Sequence, residues 1–138
     1  MPWSITEIHP LLVHFPIALF STGLLFDILA HILENDDLEA AGFWCMFMGL
    51  VSCLFTNITG LLAFLEEGSF SDLPQFSHAV LIWASIFLFV VLFWIRIQFQ
   101  INMRYSNLKR NIYLFSHSVV VGLLFYAAHL GAKAAERI

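Results

Sequence analysis

Four long runs of apolar residues, separated by short polar links, dominate the chain. Each run is about 20 residues long or longer, which is the length that a helix needs to cross roughly 30 Å of hydrocarbon. The runs predict transmembrane helices at about 11–33, 41–65, 77–99 and 112–132. Because the links are short, consecutive helices should be antiparallel neighbours. We therefore predict an all-α protein, a single integral membrane domain over residues 1–138 that folds as an up-and-down four-helix bundle.

Composition agrees with a membrane protein. Hydrophobic residues make up 60% of the 138 residues and charged residues 12%, whereas soluble domains have about 45–50% and about 25%. The net charge is -4, and no basic face suited to phosphate backbones is present, which excludes nucleic acid as a partner. The sequence shows no phosphate loop, no nucleophile with a base and no catalytic carboxylate pair. We expect a carrier or subunit rather than a stand-alone enzyme.

Basic residues predict how the helices are oriented. Four of the six basic residues cluster around the third link: Arg96, Arg104, Lys109 and Arg110. The positive-inside rule therefore predicts a cytoplasmic third link, with both termini outside. Lys133 and Arg137, in the tail, favour the opposite orientation.

Histidines inside the apolar runs are the first candidate site, because an unpartnered imidazole in hydrocarbon costs several kcal/mol. A rise of about 1.5 Å per residue places His14, His78 and His129 at one depth near the outer surface, with His9 just above them. The first and third helices of such a bundle face each other diagonally. We therefore predict one haem b with His14 and His78 as axial iron ligands. His129 would bind a propionate or replace His78, and His9 is a further alternate ligand.

Small residues near these histidines would give a porphyrin the room it needs. Ala18 and Ser21 follow His14 on its helical face, and Gly122 precedes His129 on its face. The second helix has another face of small side chains, for which tight helix packing is the simpler explanation. Its members are Gly49, Cys53, Thr56, Gly60 and Ala63.

A second group of polar residues lies toward the cytoplasmic side. Asp27 is one turn before His31 on the first helix, and His117 is about two turns into the fourth. Ionisable residues at membrane depth are functional candidates, here for proton transfer or for a second haem site. The alternatives are an ion pair of Asp27 with Arg96, a hydrogen bond of Asp27 to His31, and packing roles for His31 and His117.

Two further hypotheses compete with the haem hypothesis. In the first, the histidines only make interhelical hydrogen bonds, and the chain is a haem-free accessory subunit of a larger membrane complex. In the second, the four outer histidines bind copper, zinc or non-haem iron, since imidazole suits all three metals.

Residues 9–19 read His-Pro-Leu-Leu-Val-His-Phe-Pro-Ile-Ala-Leu, and Asp27 follows in the same helix. This stretch resembles the signature of a bacterial family of four-helix membrane proteins of unknown function. Later parts of the chain are similar to further family features: Thr59-Gly60-Leu61-Leu62, His78 and His129-Leu130-Gly131. The tail departs from the family, which usually has a second glycine where Ala132 stands.

The resemblance implies a partner chemistry, because some relatives are joined to, or encoded near, c-type cytochrome domains and periplasmic dehydrogenases. On that basis we expect a multi-pass protein of the bacterial inner membrane. It would pass electrons between the quinone pool and an extracytoplasmic partner or a larger respiratory complex.

Overall fold

The computed structural model describes residues 5–67, 73–105 and 107–134, which form four long helices. These are α1 (Ile5–Leu33), α2 (Asp36–Glu67), α3 (Leu73–Gln98) and α4 (Leu108–Ala134). Each helix is long and apolar enough to cross a membrane. The prediction of an all-α, four-helix membrane protein is confirmed.

The helices extend beyond the apolar runs, because caps and not hydropathy determine where they begin. Asn35 precedes α2, and its side-chain Oδ1 accepts hydrogen bonds from the backbone N–H groups of Asp37 and Leu38. Asn107 precedes α4, and its Oδ1 accepts the N–H of Arg110 at 2.7 Å. These caps satisfy N–H groups that have no partner within the helix. As a result, α2 and α4 each begin several residues before the start that hydropathy predicts.

The four helices pack as two hairpins. The most extensive contacts join α1 to α2 and α3 to α4, while α1 with α4 and α2 with α3 touch over less of their length. Glycines bring α1 and α2 close together. A Cβ atom on Gly49 would lie 2.7 Å from the Phe20 ring, and one on Gly23 would lie 3.2 Å from Cβ of Cys45. The small-residue face of α2 is thus a packing surface, as predicted.

The two hairpins repeat one pattern of buried positions. Asp27 of α1 and Arg96 of α3 are 69 residues apart, and the same offset relates Phe20 to Phe89. Buried positions of α2 and α4 also correspond at one constant offset. They are Gly42, Met46, Gly49, Cys53 and Thr56 in α2, and Tyr113, His117, Val120, Leu124 and Ala127 in α4. Most paired residues differ in type, so the repeat is visible in burial and not in sequence identity.

Two aromatic rings meet at the centre of the bundle. Phe20 and Phe89 are fully buried, and their rings stack with centroids 3.7 Å apart and an angle of 7° between planes. This stack separates two ends of the molecule. The terminal end is where α1 begins and α4 ends, and the ion-pair end is where α1 ends and α4 begins.

Candidate functional site

A buried ion pair joins α1 to α3 at the ion-pair end. Arg96 donates from Nη1 to Oδ2 of Asp27 at 2.7 Å and from Nη2 to Oδ1 at 2.9 Å. The two side chains are 4% and 0% exposed. Arg96 also donates to the backbone oxygen of Glu39 at 3.1 Å and to the hydroxyl oxygen of Tyr113 at 3.4 Å. The predicted pairing of Asp27 with Arg96 is confirmed, in the two-bond geometry that makes such pairs strong.

Gly42 of α2 makes room for this ion pair. A Cβ atom built on Gly42 would overlap Oδ1 of Asp27 and lie 2.9 Å from its carboxyl carbon. A larger residue there would displace the carboxylate from Arg96. Nothing in the local sequence distinguishes Gly42 from the other packing glycines, because the role depends on how α1 and α2 face each other.

Hydrogen bonds to α1 and α2 hold the link between α3 and α4 in place at the ion-pair end. Met103 is fully buried, and its backbone N–H donates to Oε2 of Glu39 at 3.2 Å. Its backbone oxygen accepts a hydrogen bond from Nδ1 of His31 at 3.1 Å. His31 is therefore bonded to the link rather than to Asp27. This agrees with the packing role that was one alternative for His31.

His9 and His78 lie between helices at the terminal end. His78 donates from Nδ1 to the backbone oxygen of Ala127 at 2.7 Å, and a Cβ on Gly131 would lie 2.6 Å from its Cε1. Nδ1 of His9 lies 3.1 Å from Oγ1 of Thr59, and a Cβ on Gly60 would lie 2.9 Å from its Cε1. The histidine-on-glycine contact therefore occurs once in each hairpin.

His14 and His129 lie on the outside of the bundle, because both side chains are exposed. His14 is two residues before the buried Pro16, so at about 100° per residue it points almost opposite to the core face. Its Nδ1 donates to the backbone oxygen of Pro10 in the same helix at 2.7 Å. His14 and His78 thus do not face a common space within the bundle. A haem held by this pair inside one chain does not fit the arrangement.

The residues expected to clear space for a porphyrin do not line the interior. Ala18 is exposed, and a Cβ on Gly122 would meet nothing within 4 Å. Ser21 donates to the backbone oxygen of Ile17 at 2.7 Å, within its own helix. The centre of the bundle is filled by the stacked phenylalanine rings instead. Haem binding by this chain stays a prediction.

The histidines proposed as metal ligands are likewise divided between the interior and the outer surface of the bundle. Among the residues that the structure describes, no group of three or more His, Cys, Asp or Glu side chains is arranged to hold a metal ion. His9 and His78 are each placed between the two helices of a different hairpin, and His14 and His129 are on the outer surface.

Among the described histidines, His117 is the one that is fully buried. Neither ring nitrogen has a hydrogen-bond partner among the described residues. The backbone of Phe20 approaches the ring without reaching hydrogen-bonding geometry. The ring lies edge-on to Phe89 and Tyr113, at 5.7 and 5.9 Å between centroids. Met46 occupies the equivalent position of the first hairpin, so the fold itself does not require a polar residue here.

Helical rotation is the signal that could have separated the buried histidines from the exposed ones. His9 and Asp27 are five helical turns apart, as are His78 and Arg96, so each pair shares one face. His14 lies about 140° around α1 from Asp27. Depth alone places His14 with His78.

Comparison with known proteins agrees with the membrane assignment and adds no activity. A family model described as "Predicted membrane protein (DUF2231)" matches residues 6–138, a span that contains nearly all of the four helices. No curated protein and no solved structure matches the chain. The chain belongs to DUF2231, a family of predicted membrane proteins.

Proposed function

We propose that this chain is a haem-free, non-catalytic membrane subunit that binds a second membrane protein at its terminal end. The contact surface, here called the histidine surface, comprises two outward-facing patches: His14 and Ala18 on α1, and Gly122 and His129 on α4. The observation that carries the proposal is the exposure of two imidazoles within the apolar spans of α1 and α4, whose exposed side chains are mostly apolar.

The depth of these histidines makes their exposure informative. The apolar span of α1 starts at Glu7 and that of α4 ends at Ala134. His14 is therefore about 10 Å and His129 about 8 Å inside its span. Each span is longer than the roughly 30 Å of hydrocarbon that it must cross. Both rings then lie just inside the apolar layer, where a polar group is stable only with a partner.

Small side chains on the same surface favour a helix as that partner. Ala18 lies one turn after His14, and Gly122 lies about two turns before His129. Both positions are exposed, and Gly122 has open space beside it. Membrane helices associate closely where small residues let backbones approach, and polar side chains then bond across the contact.

The ring of His14 is already oriented for such a bond. Its Nδ1–H is used by the backbone oxygen of Pro10, so Nε2 is the acceptor nitrogen. A hydroxyl or amide group of a neighbouring helix can donate to it. Other histidines serve interhelical contacts within the chain, as His78 does with Ala127.

Photo-cross-linking tests this proposal. A photo-reactive amino acid at position 18 should give an adduct of one discrete mass with another membrane protein. The matched control is position 87 on α3, where Phe87 is 67% exposed and no histidine is adjacent. The adduct should disappear in His14→Leu. Lipid adducts alone, or the same protein adduct from both positions, would contradict the proposal.

A haem-bearing electron carrier is the second candidate, and the orientation of two histidines favours it. His14 and His78 both donate from Nδ1 to a backbone oxygen, which leaves Nε2 as the lone-pair nitrogen. This is the arrangement of most metal-ligating histidines. Haem iron would supply one-electron transfer, linking quinone to a c-type cytochrome, a periplasmic dehydrogenase or a larger respiratory complex.

The separation of the two histidines limits that second candidate. Because His14 faces outward, an iron bound to it would need its other ligand from a neighbouring molecule. Haem content per chain in purified protein tests this possibility. It should fall in His14→Ala if His14 binds iron and stay constant in Ser118→Ala, which changes an exposed residue of α4.

The orientation proposed for the chain has both termini outside the cytoplasm of a bacterium, in its inner membrane. Exposed Arg104 and Lys109 at the ion-pair end support it, while exposed Lys133 at the terminal end opposes it. A C-terminal alkaline phosphatase fusion should be active and a C-terminal fluorescent-protein fusion dark. The reverse result would place the terminal end inside.

A further inference from the structure

A cavity of about 310 Å³ opens at the ion-pair end, between the start of α2 and the end of α3. It is lined by Asp36, Glu39, Ala40, Phe43, Trp44, Arg96 and Ile101. α2 and α3 are the neighbouring helices with the least contact. The apolar span of α2 begins at Asp36 and that of α3 ends at Gln98. The cavity therefore lies where the bundle meets the membrane surface.

The charge that the cavity offers to a ligand is negative. Arg96 is 4% exposed and is neutralised by Asp27, and its other hydrogen bonds go to the backbone oxygen of Glu39 and the hydroxyl oxygen of Tyr113. Glu39 is half-buried, and its Oε2 accepts the N–H of Met103. No cationic side chain pairs with Glu39 among the described residues. A carboxylate in this setting favours a cation.

Aromatic rings form the wall beside that carboxylate. The Phe43 and Trp44 rings meet edge to face, with centroids 5.7 Å apart. Trp44 is 59% exposed, as is typical of tryptophans at a membrane interface. The Phe43 ring already lies 5.7 Å from the guanidinium carbon of Arg96, so the exposed Trp44 ring is the one that can attract an ammonium group. Trp44 and the carboxylate of Glu39 therefore favour the same class of ligand.

We propose that this cavity binds the ammonium group of an ethanolamine phospholipid. Glu39 accepts hydrogen bonds from the ammonium group, and Trp44 covers it from the membrane side. Arg104 stands at the rim, with its Nη1 3.5 Å from Oδ2 of Asp36. It is 42% exposed, so it can contact the phosphate that follows the ammonium group in the lipid. The opposite charges of Glu39 and Arg104 thus complement those of a zwitterionic head group.

Hydrogen bonding sets the choice among lipids. A primary ammonium group donates three hydrogen bonds, as a lysine side chain does. A choline head group carries no N–H and loses the bonds to Glu39. A glycerol head group leaves the lipid with a net negative charge and meets the same carboxylate. Ethanolamine lipids should therefore bind in preference to both.

Native mass spectrometry of the purified full chain tests the proposal with phosphatidylethanolamine, phosphatidylcholine and phosphatidylglycerol at equal concentrations. Phosphatidylethanolamine should be retained best. Glu39→Gln should weaken its binding by about tenfold, because the charge-assisted bond is lost while an oxygen remains for the N–H of Met103. Asp37→Asn, at an exposed acid that does not line the cavity, is the matched control and should bind as wild type does.

The proposal would be overturned if phosphatidylethanolamine were not the best retained of the three lipids, or if Glu39→Gln left its binding unchanged. Millimolar free ethanolamine should not displace the lipid, since the acyl chains also contribute to binding. Displacement would assign the cavity to small amines instead. A thermal unfolding curve of Glu39→Gln that matches wild type shows that lost binding is not lost folding.

Discussion

Removal of the Asp27 carboxylate is expected to be the most damaging single change at the ion-pair end. In Asp27→Leu, Arg96 stays buried and loses two charge-assisted hydrogen bonds. Its remaining partners, the Glu39 backbone oxygen and the Tyr113 hydroxyl, carry no formal charge. Breaking a buried ion pair from one side costs about 3–5 kcal/mol. We expect Asp27→Leu to lower the free energy of unfolding by that amount.

Substitution of Arg96, alone and together with Asp27, distinguishes the effect of an unpaired charge from the effect of lost packing. Arg96→Met alone leaves Asp27 buried without its partner and should cost at least about 2 kcal/mol. The double variant Asp27→Leu/Arg96→Met removes both charges and should be more stable than either single variant, because buried pairs are often replaceable by apolar residues. The predicted interaction energy between the two positions is several kcal/mol.

Equilibrium unfolding in detergent micelles provides the assay, followed by the fluorescence of the four tryptophans. Asp37→Asn is the control, since Asp37 is exposed and in the first turn of the same α2 helix that holds Gly42 and Glu39. It should change stability by no more than about 0.5 kcal/mol. Additive losses in the double variant would refute the reasoning, as would a loss below about 1 kcal/mol in Asp27→Leu.

Three further predictions concern packing and can be measured in the same unfolding assay. Gly42→Ala should lower the free energy of unfolding by about 1–3 kcal/mol, because the added Cβ displaces Asp27. Gly122→Ala, with open space beside it, should leave the free energy of unfolding unchanged or raise it. Equal effects of the two substitutions would show that the bundle accommodates a Cβ at Gly42 without strain. Gly131→Ala should also cost about 1–3 kcal/mol, because its Cβ would meet the His78 ring, and an unchanged stability would mean that the ring is not held there. His117→Met should raise the free energy of unfolding by about 1–3 kcal/mol, since it removes two unpartnered ring nitrogens and Met46 fills the equivalent site. A loss of stability would mean that His117 has a hydrogen-bond partner inside the bundle.

The four membrane spans could be predicted because bilayer thickness sets the length of an apolar run. Helix ends could not, since they depend on side-chain caps such as Asn35 and Asn107. The ion pair of Asp27 with Arg96 could be predicted as one alternative, because two opposite charges within apolar spans are stable only when they are paired. The contributions of Gly42 and Tyr113 depend on helix rotation, which hydropathy does not encode.

The histidines also show that sequence-based prediction does not give helix rotation. Sequence position predicts the depth of a residue in the membrane but not the direction in which it faces. His14 and His78 were predicted to meet from opposite sides of the bundle, whereas His14 faces outward and His78 bonds to Ala127. His9, five helical turns before Asp27, shares the inward face of α1 with it, whereas His14 does not.

The absorption spectrum of protein purified from cells supplied with haem precursor tests the central claim most directly. If the histidines contact protein groups, as proposed, the reduced and oxidised samples should show no Soret band at stoichiometric intensity. A Soret band of about one haem per chain that is lost in His14→Ala or His78→Ala would contradict the account.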